Sequence, residues 1–390
     1  MTIQLVDIFY PNVFRRYSAK YNIFRDLYEK DLVGIEIRGI GFKLAQSIKK
    51  IVLANKQICY NTGKKGDAIC DFLMLGSYGV FKDIVKEIIS IGNEEIGFKV
   101  SQTVKNITEY ENQSFLIAGK TLTLKNAYTF GILNVTPDSF SDGGKHFSLN
   151  AAVEHGLKLI EDGADFIDIG GESTRPGSDP ISEEEELKRV VPVITQLLIL
   201  KPDSVISIDT TKSKVAEEAL SLGAKIVNDI SSFTKDPKMV EVVKKYESPV
   251  VLMHMKGDPK TMQHDVAYED TVSEIYDYLK MKVEFAKKNG IRDIIIDPGI
   301  GFGKSPADNF EIIKRLNEFK GIGQPILIGL SRKSFLGKSL DLEIDTRDNS
   351  TVIAETIVLQ NGARFIRTHN VKNAIEAIKI NRIIENPEAV

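Results

Sequence analysis

With 390 residues, 42% hydrophobic and 27% charged, the chain is long enough for two or three domains and too apolar to be disordered. A net charge of -3 and a sequence pI near 6.1 exclude a bulk electrostatic grip on nucleic acid or an anionic membrane. The two cysteines, Cys59 and Cys70, exclude a disulfide framework or cysteine-rich metal site and fit a reducing, cytoplasmic setting.

Residues 1–7 lack a basic stretch followed by an apolar core, so no signal peptide is expected. No apolar run approaches the ~20 residues of a membrane span. Residues 1–111 read as a small mixed α/β domain. Residues 14–32 carry aromatic and basic residues at helical spacing, and residues 34–39 alternate like a strand. Residues 42–54 are amphipathic, with Leu44, Ile48, Ile51 and Val52 on one face. Residues 68–75 suit a strand and 81–91 a helix. Between them, Asn61-Thr62-Gly63-Lys64-Lys65-Gly66-Asp67 superficially resembles a phosphate loop. It lacks the spacing from Gly to Gly-Lys-Ser/Thr and reads as a solvated hairpin turn. No chemistry is assigned to this domain. It could bind a partner or drive oligomerisation, the favoured choice, or act as a regulatory module or a second enzyme.

The texture changes near Asn112. Residues 115–124 form a predicted β-hairpin turning at Gly119-Lys120. From Tyr128 onward short apolar runs alternate with helical segments. The runs lie at 128–133, 166–169, 205–208, 225–227, 250–253, 293–296, 325–328 and 364–366. Helical segments include 151–161, 183–200, 215–222, 272–288, 310–319 and 352–361. Gly163, Gly223, Gly290 and Gly362 stand where helices end and a left-handed residue is needed. About eight strand–helix units in the span 112–390 predict an α/β fold, a (β/α)8 TIM barrel with the hairpin closing its floor. A doubly wound open sheet is the alternative.

Sites in such barrels form at the C-terminal strand ends, and those ends carry the unusual residues. The first run leads into Asn134-Val135-Thr136-Pro137-Asp138-Ser139-Phe140-Ser141-Asp142-Gly143-Gly144, more polar and turn-prone than packing requires. The later ends carry Glu172-Ser173-Thr174-Arg175-Pro176-Gly177, Ser207-Ile208-Asp209-Thr210, Asn228-Asp229-Ile230 and Leu252-Met253-His254-Met255. Then come Asp297-Pro298-Gly299-Ile300-Gly301-Phe302-Gly303-Lys304, Ser331-Arg332-Lys333-Ser334 and Arg367-Thr368-His369-Asn370. Asp209, Asn228 and Asp297 would face a nitrogen-rich heterocycle. Arg175, Lys333, Arg367 and His369 lie on the loops around them, and an anion such as phosphate would be held there by Arg and backbone N–H groups. Taken singly, each has a plainer reading. Asp209 could cap the next helix, Asp297 could shape the Asp-Pro turn, and His254 could be a satisfied structural histidine.

Together these runs, over roughly residues 113–385, resemble the pterin-binding dihydropteroate synthase family, the sulfonamide target of folate biosynthesis. The resemblance implies a Mg²⁺-dependent transferase that condenses 6-hydroxymethyl-7,8-dihydropterin diphosphate with 4-aminobenzoate. It implies pterin contacts from Asp209, Asn228, Asp297, Lys333, Arg367 and Met253. It implies diphosphate contacts from Asn134, Arg175, Arg367 and His369, with Asn134 also at the metal. Thr174, Pro176, Phe302 and Ser331 would border the aminobenzoate. Lys333, Arg175, Asp142 and His369 would carry catalysis, with residues 135–144 a lid hinged at Gly143-Gly144. It also implies a homodimer, for which residues 348–361 are candidate contacts. Asn370 stands where the family usually has Asp, a position suited to capping the following helix.

Two other functions compete. A pterin-dependent methyltransferase would share the acidic pocket but has no use for the Ser-Thr-Arg-Pro, Ser-Arg-Lys-Ser and Arg-Thr-His runs together. An inactive paralogue kept as a scaffold would not need Arg175, Lys333 and the Asn134 loop, all of which are present.

Overall fold

The computed structural model describes residues 1–7, 11–23, 33–64, 66–136, 149–173, 178–257 and 267–389. It divides into two compact units: Met1–Tyr110 with Asn317–Gly323, and Glu111–Leu316 with Gln324–Val390.

The first unit comprises β1 (Thr2–Val6), α1 (Pro11–Tyr21), β2 (Val33–Gly41), α2 (Phe42–Ala54), β3 (Ile58–Asn61), β4 (Ile69–Gly76), α3 (Tyr78–Ser90) and α4 (Glu94–Thr108). Its strands form one antiparallel sheet in the order β1-β2-β4-β3. Alternation along β4 decides the layering. Phe72 and Met74 join Ile48 of α2, Phe81 of α3 and Val100 of α4 in one core. Leu73 and Leu75 join Val13, Tyr17 and Tyr21 of α1 in another. A buried carboxylate needs partners, and Glu36 on β2 has them: Tyr17 and Tyr21 donate hydroxyls, and Lys20 and Arg38 supply cations. The segment 61–67 links β3 to β4, with Asp67 accepting from the Lys64 backbone at 2.6 Å. It is a hairpin connection, as its composition suggested.

The second unit opens with a hairpin, β5 (Ser114–Ile117) and β6 (Lys120–Thr123), in which Ala118 and Gly119 adopt positive φ at the turn. The barrel follows as β7 (Tyr128–Asn134), α5 (Leu149–Glu161), β8 (Phe166–Gly170), α6 (Glu183–Leu200), β9 (Ile206–Asp209), α7 (Ser213–Leu222), β10 (Ile226–Asp229), α8 (Met239–Lys245), β11 (Val250–Met253) and α9 (Thr271–Lys288). It continues through β12 (Ile294–Asp297), α10 (Pro306–Lys314), β13 (Leu327–Ile328), α11 (Ser334–Leu340), α12 (Asp348–Gln360), β14 (Phe365–Thr368) and α13 (Val371–Glu385). The eight parallel strands run β12-β11-β10-β9-β8-β7-β14-β13, and a bridge between Ile296 and Ile326 closes the ring. The fold is a (β/α)8 barrel, as the spacing predicted. The four glycines expected at helix ends all have positive φ, from 88° to 118°. No described helix is long and apolar enough to cross a membrane.

The barrel interior is built in layers. Phe130, Phe166, Ile226, Val251, Ile295, Leu327 and Phe365 point inward together, and Ile117 and Leu122 of the hairpin pack against them. The hairpin therefore closes the floor, as anticipated. Phe130, Phe166 and Phe365 form the aromatic centre, with the first two rings 4.6 Å apart.

Candidate active site

Because side chains on one face of a strand recur every second residue, the inward layer above that apolar floor can be counted off. Phe166 is followed by Asp168, Ile226 by Asn228, Val251 by Met253, Ile295 by Asp297 and Phe365 by Arg367. Val205, just before β9, and Ser207 on it lead to Asp209. The residues that looked anomalous at strand ends therefore stand on one ring at one end of the barrel. The pairing agrees: Asp209 lies beside Asn228 and beside Gly170, Asn134 beside Gly170, and Met253 beside Asp297.

The ring is held by charge. The Arg367 guanidinium donates from Nε to Asp168 Oδ2 and from Nη2 to Asp209 Oδ2, both at 2.6 Å. Asn228 donates its amide to the same Asp168 oxygen at 3.0 Å, while Asp168 Oδ1 has no hydrogen-bond partner among the described residues. Burial and the neighbouring Asp168 push the Asp209 carboxyl upward, and Arg367 opposes them. Asp297 is buried and accepts from Gly299 N at 2.7 Å; burial raises its pKa against that bond and against the nearby Lys333. Asp209 caps no helix, because Asp236 accepts from Ser213 N at the start of α7.

Lys333 reaches in from the loop after β13. Its Nζ donates to Ile300 O at 2.9 Å and lies 4.2 Å from the Phe302 ring centroid. Burial pulls its pKa down to about 8, against the attraction of Asp297. A cation above an aromatic face keeps a favourable electrostatic partner after losing water. Ser331 is tied to the end of β14: its hydroxyl accepts from His369 N at 3.1 Å and lies 2.9 Å from His369 Nδ1. This couples a residue expected at the aminobenzoate with one expected at the diphosphate. Asn134, the last residue of β7, is half-buried at the same rim.

Asp142, Thr174, Arg175, Pro176 and the Gly143-Gly144 hinge lie outside the described residues. The structure adds Asp168, which sits within the apolar run 166–169 although its period-two relation to Phe166 marks it. It also adds Lys304, buried beside His254.

Residues 130–369 match the family model of the pterin binding enzymes. The chain is 42% identical over 264 residues to the dihydropteroate synthase of Escherichia coli K12, which covers 67% of this chain and 93% of that one. The chain belongs to the dihydropteroate synthase family. The enzyme of Bacillus subtilis is 45% identical over 251 residues, covering 64% of this chain and 86% of its own. Among solved structures, the Yersinia pestis dihydropteroate synthase with a sulfonamide drug complex superposes with a TM-score of 0.66 at 41% identity, covering 70% of this chain and all of that one. The Xanthomonas albilineans enzyme in complex with 7,8-dihydropteroate gives 0.63 at 38%, covering 70% and 99%. As a dihydropteroate synthase family member the chain is an enzyme, and the matched span contains every residue of the ring. Its departure at Asn370 is accommodated locally. The side chain caps α13 by accepting from Asn373 N at 3.2 Å and donates to Asp348, itself paired with Arg332.

Proposed function

We propose that the chain condenses 6-hydroxymethyl-7,8-dihydropterin diphosphate with 4-aminobenzoate, giving 7,8-dihydropteroate and diphosphate in folate biosynthesis. One observation carries this reading: the Asp168–Arg367–Asp209 ring with Asn228, Met253 and Asp297 around it. Carboxylates and an amide at one rim suit the N–H and amide edge of a pterin, and Met253 supplies an apolar contact. Asp209, Asn228 and Asp297 hold that edge, with Arg367 flanking the ring.

The reaction breaks the C–O bond to diphosphate, and the electron pair leaves with the phosphate. His369 and Arg175 bind the departing anion. The carbon left behind is a cation conjugated with the pterin, favoured by the carboxylates of Asp209 and Asp297, and Asp142 joins when both substrates are bound. The 4-aminobenzoate nitrogen, placed by Lys333 and bordered by Phe302, Ser331, Thr174 and Pro176, then forms the C–N bond and loses a proton. No covalent enzyme intermediate is required.

No cluster of three His, Cys, Asp or Glu among the described residues would hold a metal unaided. Mg²⁺ takes few protein ligands and favours phosphate oxygens and water, so a single amide oxygen at Asn134 fits an ion accompanying the diphosphate. Bound there, Mg²⁺ would neutralise charge on the leaving group.

The assembly is a homodimer on this reading, supported by exposed Ile353 and Ile357 on α12 and Ile380 and Ile384 on α13. The enzyme works in the cytoplasm. The first unit serves partner binding or oligomerisation, supported by its own core and by the position of residues 1–110, which make up most of it, outside residues 130–369. The test of the main reading is an assay of the full chain with the pterin diphosphate, 4-aminobenzoate and Mg²⁺. Failure to form dihydropteroate would overturn it.

A further inference from the structure

Lys304 closes the run 299–304 between β12 and α10, and it is 2% exposed. Its Nζ donates to Phe302 O at 2.9 Å and His254 O at 3.3 Å, and lies 3.0 Å from His254 Nδ1. An ammonium has three protons to place, and here it meets three acceptors. That requires a lone pair on His254 Nδ1. Burial and the neighbouring Lys304 hold His254 down to about 2, so the ring is neutral, and burial draws Lys304 itself down to about 7. The His254 ring is fixed edge-on to Tyr278, centroids 4.9 Å apart.

The rest of the run is pinned to the same support. Tyr268 donates its hydroxyl to Gly303 O at 2.8 Å, and Asn309 accepts from Gly301 N at 2.7 Å. A Cβ at Gly299 would sit 1.9 Å from His254 O and one at Gly303 would sit 2.2 Å from Lys256 O, and both glycines have positive φ. The run thus lies directly on the end of β11. Its outer side presents the Ile300 carbonyl and the Phe302 ring, the two groups that hold the Lys333 ammonium.

We infer that Lys304 is a positioning residue: by tying the Phe302 carbonyl to His254 it sets the Phe302 ring and Ile300 carbonyl, and through them Lys333 at the amine-substrate side of the site. This rests on the dihydropteroate synthase reading of that site. A lysine that only satisfied the core would affect folding and leave substrate discrimination alone.

The test uses the full-length chain with Lys304→Met, which keeps length and apolar bulk without donors. The expected result is a KM for 4-aminobenzoate raised about tenfold, since small displacements of positioning groups have large kinetic effects. Binding of pterin diphosphate alone, held by Asp209, Asn228, Asp297 and Arg367, none of which Lys304 hydrogen-bonds, stays within about twofold of the parent. In a cycle with Phe302→Ala, Lys304→Met adds little once the ring is gone, because the two residues act as one unit. An unchanged aminobenzoate KM, or the full effect persisting without the Phe302 ring, overturns the inference. If Lys304→Met fails to fold, Lys304→Gln, a shorter side chain with two donor protons for three acceptors, takes its place, and an unchanged KM there overturns it equally. An inactive parent chain overturns both this inference and the reaction; an active parent with an unaffected Lys304→Met overturns this inference alone.

Discussion

The Arg367 guanidinium reaches Asp168 at 2.6 Å, joining β14 to β8 across a separation of 199 residues. Asp168 is fully buried, so Arg367 is both the counter-ion of that carboxylate and a wall of the pocket. Arg367→Ala leaves the carboxylate uncompensated, and breaking a buried pair costs about 3 kcal/mol. We expect a lowered melting temperature together with a loss of turnover of about 10²-fold. Arg367→Lys restores charge but not the two-pronged donation, and should recover more stability than activity. An Arg367→Ala protein as stable as the parent would contradict this account.

Asn228→Asp changes one atom pair at the same place. The amide now donating to Asp168 at 3.0 Å would become an acceptor facing an acceptor. The cost is about 2 kcal/mol near neutral pH. The new carboxyl would have a raised folded-state pKa, so the loss is present above that pKa and is relieved as pH falls through it. Thermal unfolding as a function of pH reads this directly; a constant deficit across the acid range would refute it.

Lys333→Ala should abolish most turnover while the protein folds normally. In the parent, the Lys333 ammonium loses its proton near pH 8, so kcat/KM is expected to fall through that pH. The linkage has a definite sign. The folded value lies below the 10.5 of a free lysine, so the unfolded chain binds the proton more tightly and this group's contribution to stability rises between about pH 8 and 10.5. Unchanged turnover in Lys333→Ala would show that the Phe302 side of the pocket is not where the amine reacts.

Asn370→Ala removes the cap of α13 and the amide bond to Asp348. A lost N-cap costs about 1 kcal/mol, while the reacting groups stay in place. We expect a modest fall in melting temperature and kcat within about threefold of the parent. A collapse of turnover would move Asn370 into the site itself.

Ile353→Glu together with Ile380→Glu places charge on the exposed faces of α12 and α13. Sedimentation should show the parent as a dimer and the variant as a monomer; an unaltered mass would send the interface elsewhere.

Much of the barrel and its site was legible because both rest on local periodicities. Apolar runs broken by glycines at helix ends gave the strand–helix alternation, and Asp209, Asn228 and Asp297 announced themselves at strand ends. Asp168 did not, because one carboxylate between Ile167 and Ile169 looks like a blemish in an apolar run until its inward face is counted from Phe166. Lys304 was hidden in a glycine-rich stretch that reads as loose chain. Its fixity comes from His254, 50 residues earlier in sequence, a tertiary fact. In the first unit, β1, β3 and α4 went unread: the two strands are four or five residues long, and the helix has a largely polar surface.

The ring closes through β13, a strand of two residues joined to β12 by the bridge from Ile296 to Ile326. Local opening follows the places with the fewest backbone bonds. Amide exchange should therefore be fastest, within the barrel sheet, along this seam. Asp297, Ile300 and Phe302 stand on one side of it and Ser331 and Lys333 on the other, so a fluctuation that parts the seam draws the Lys333 ammonium away from the carbonyl and the ring that hold it.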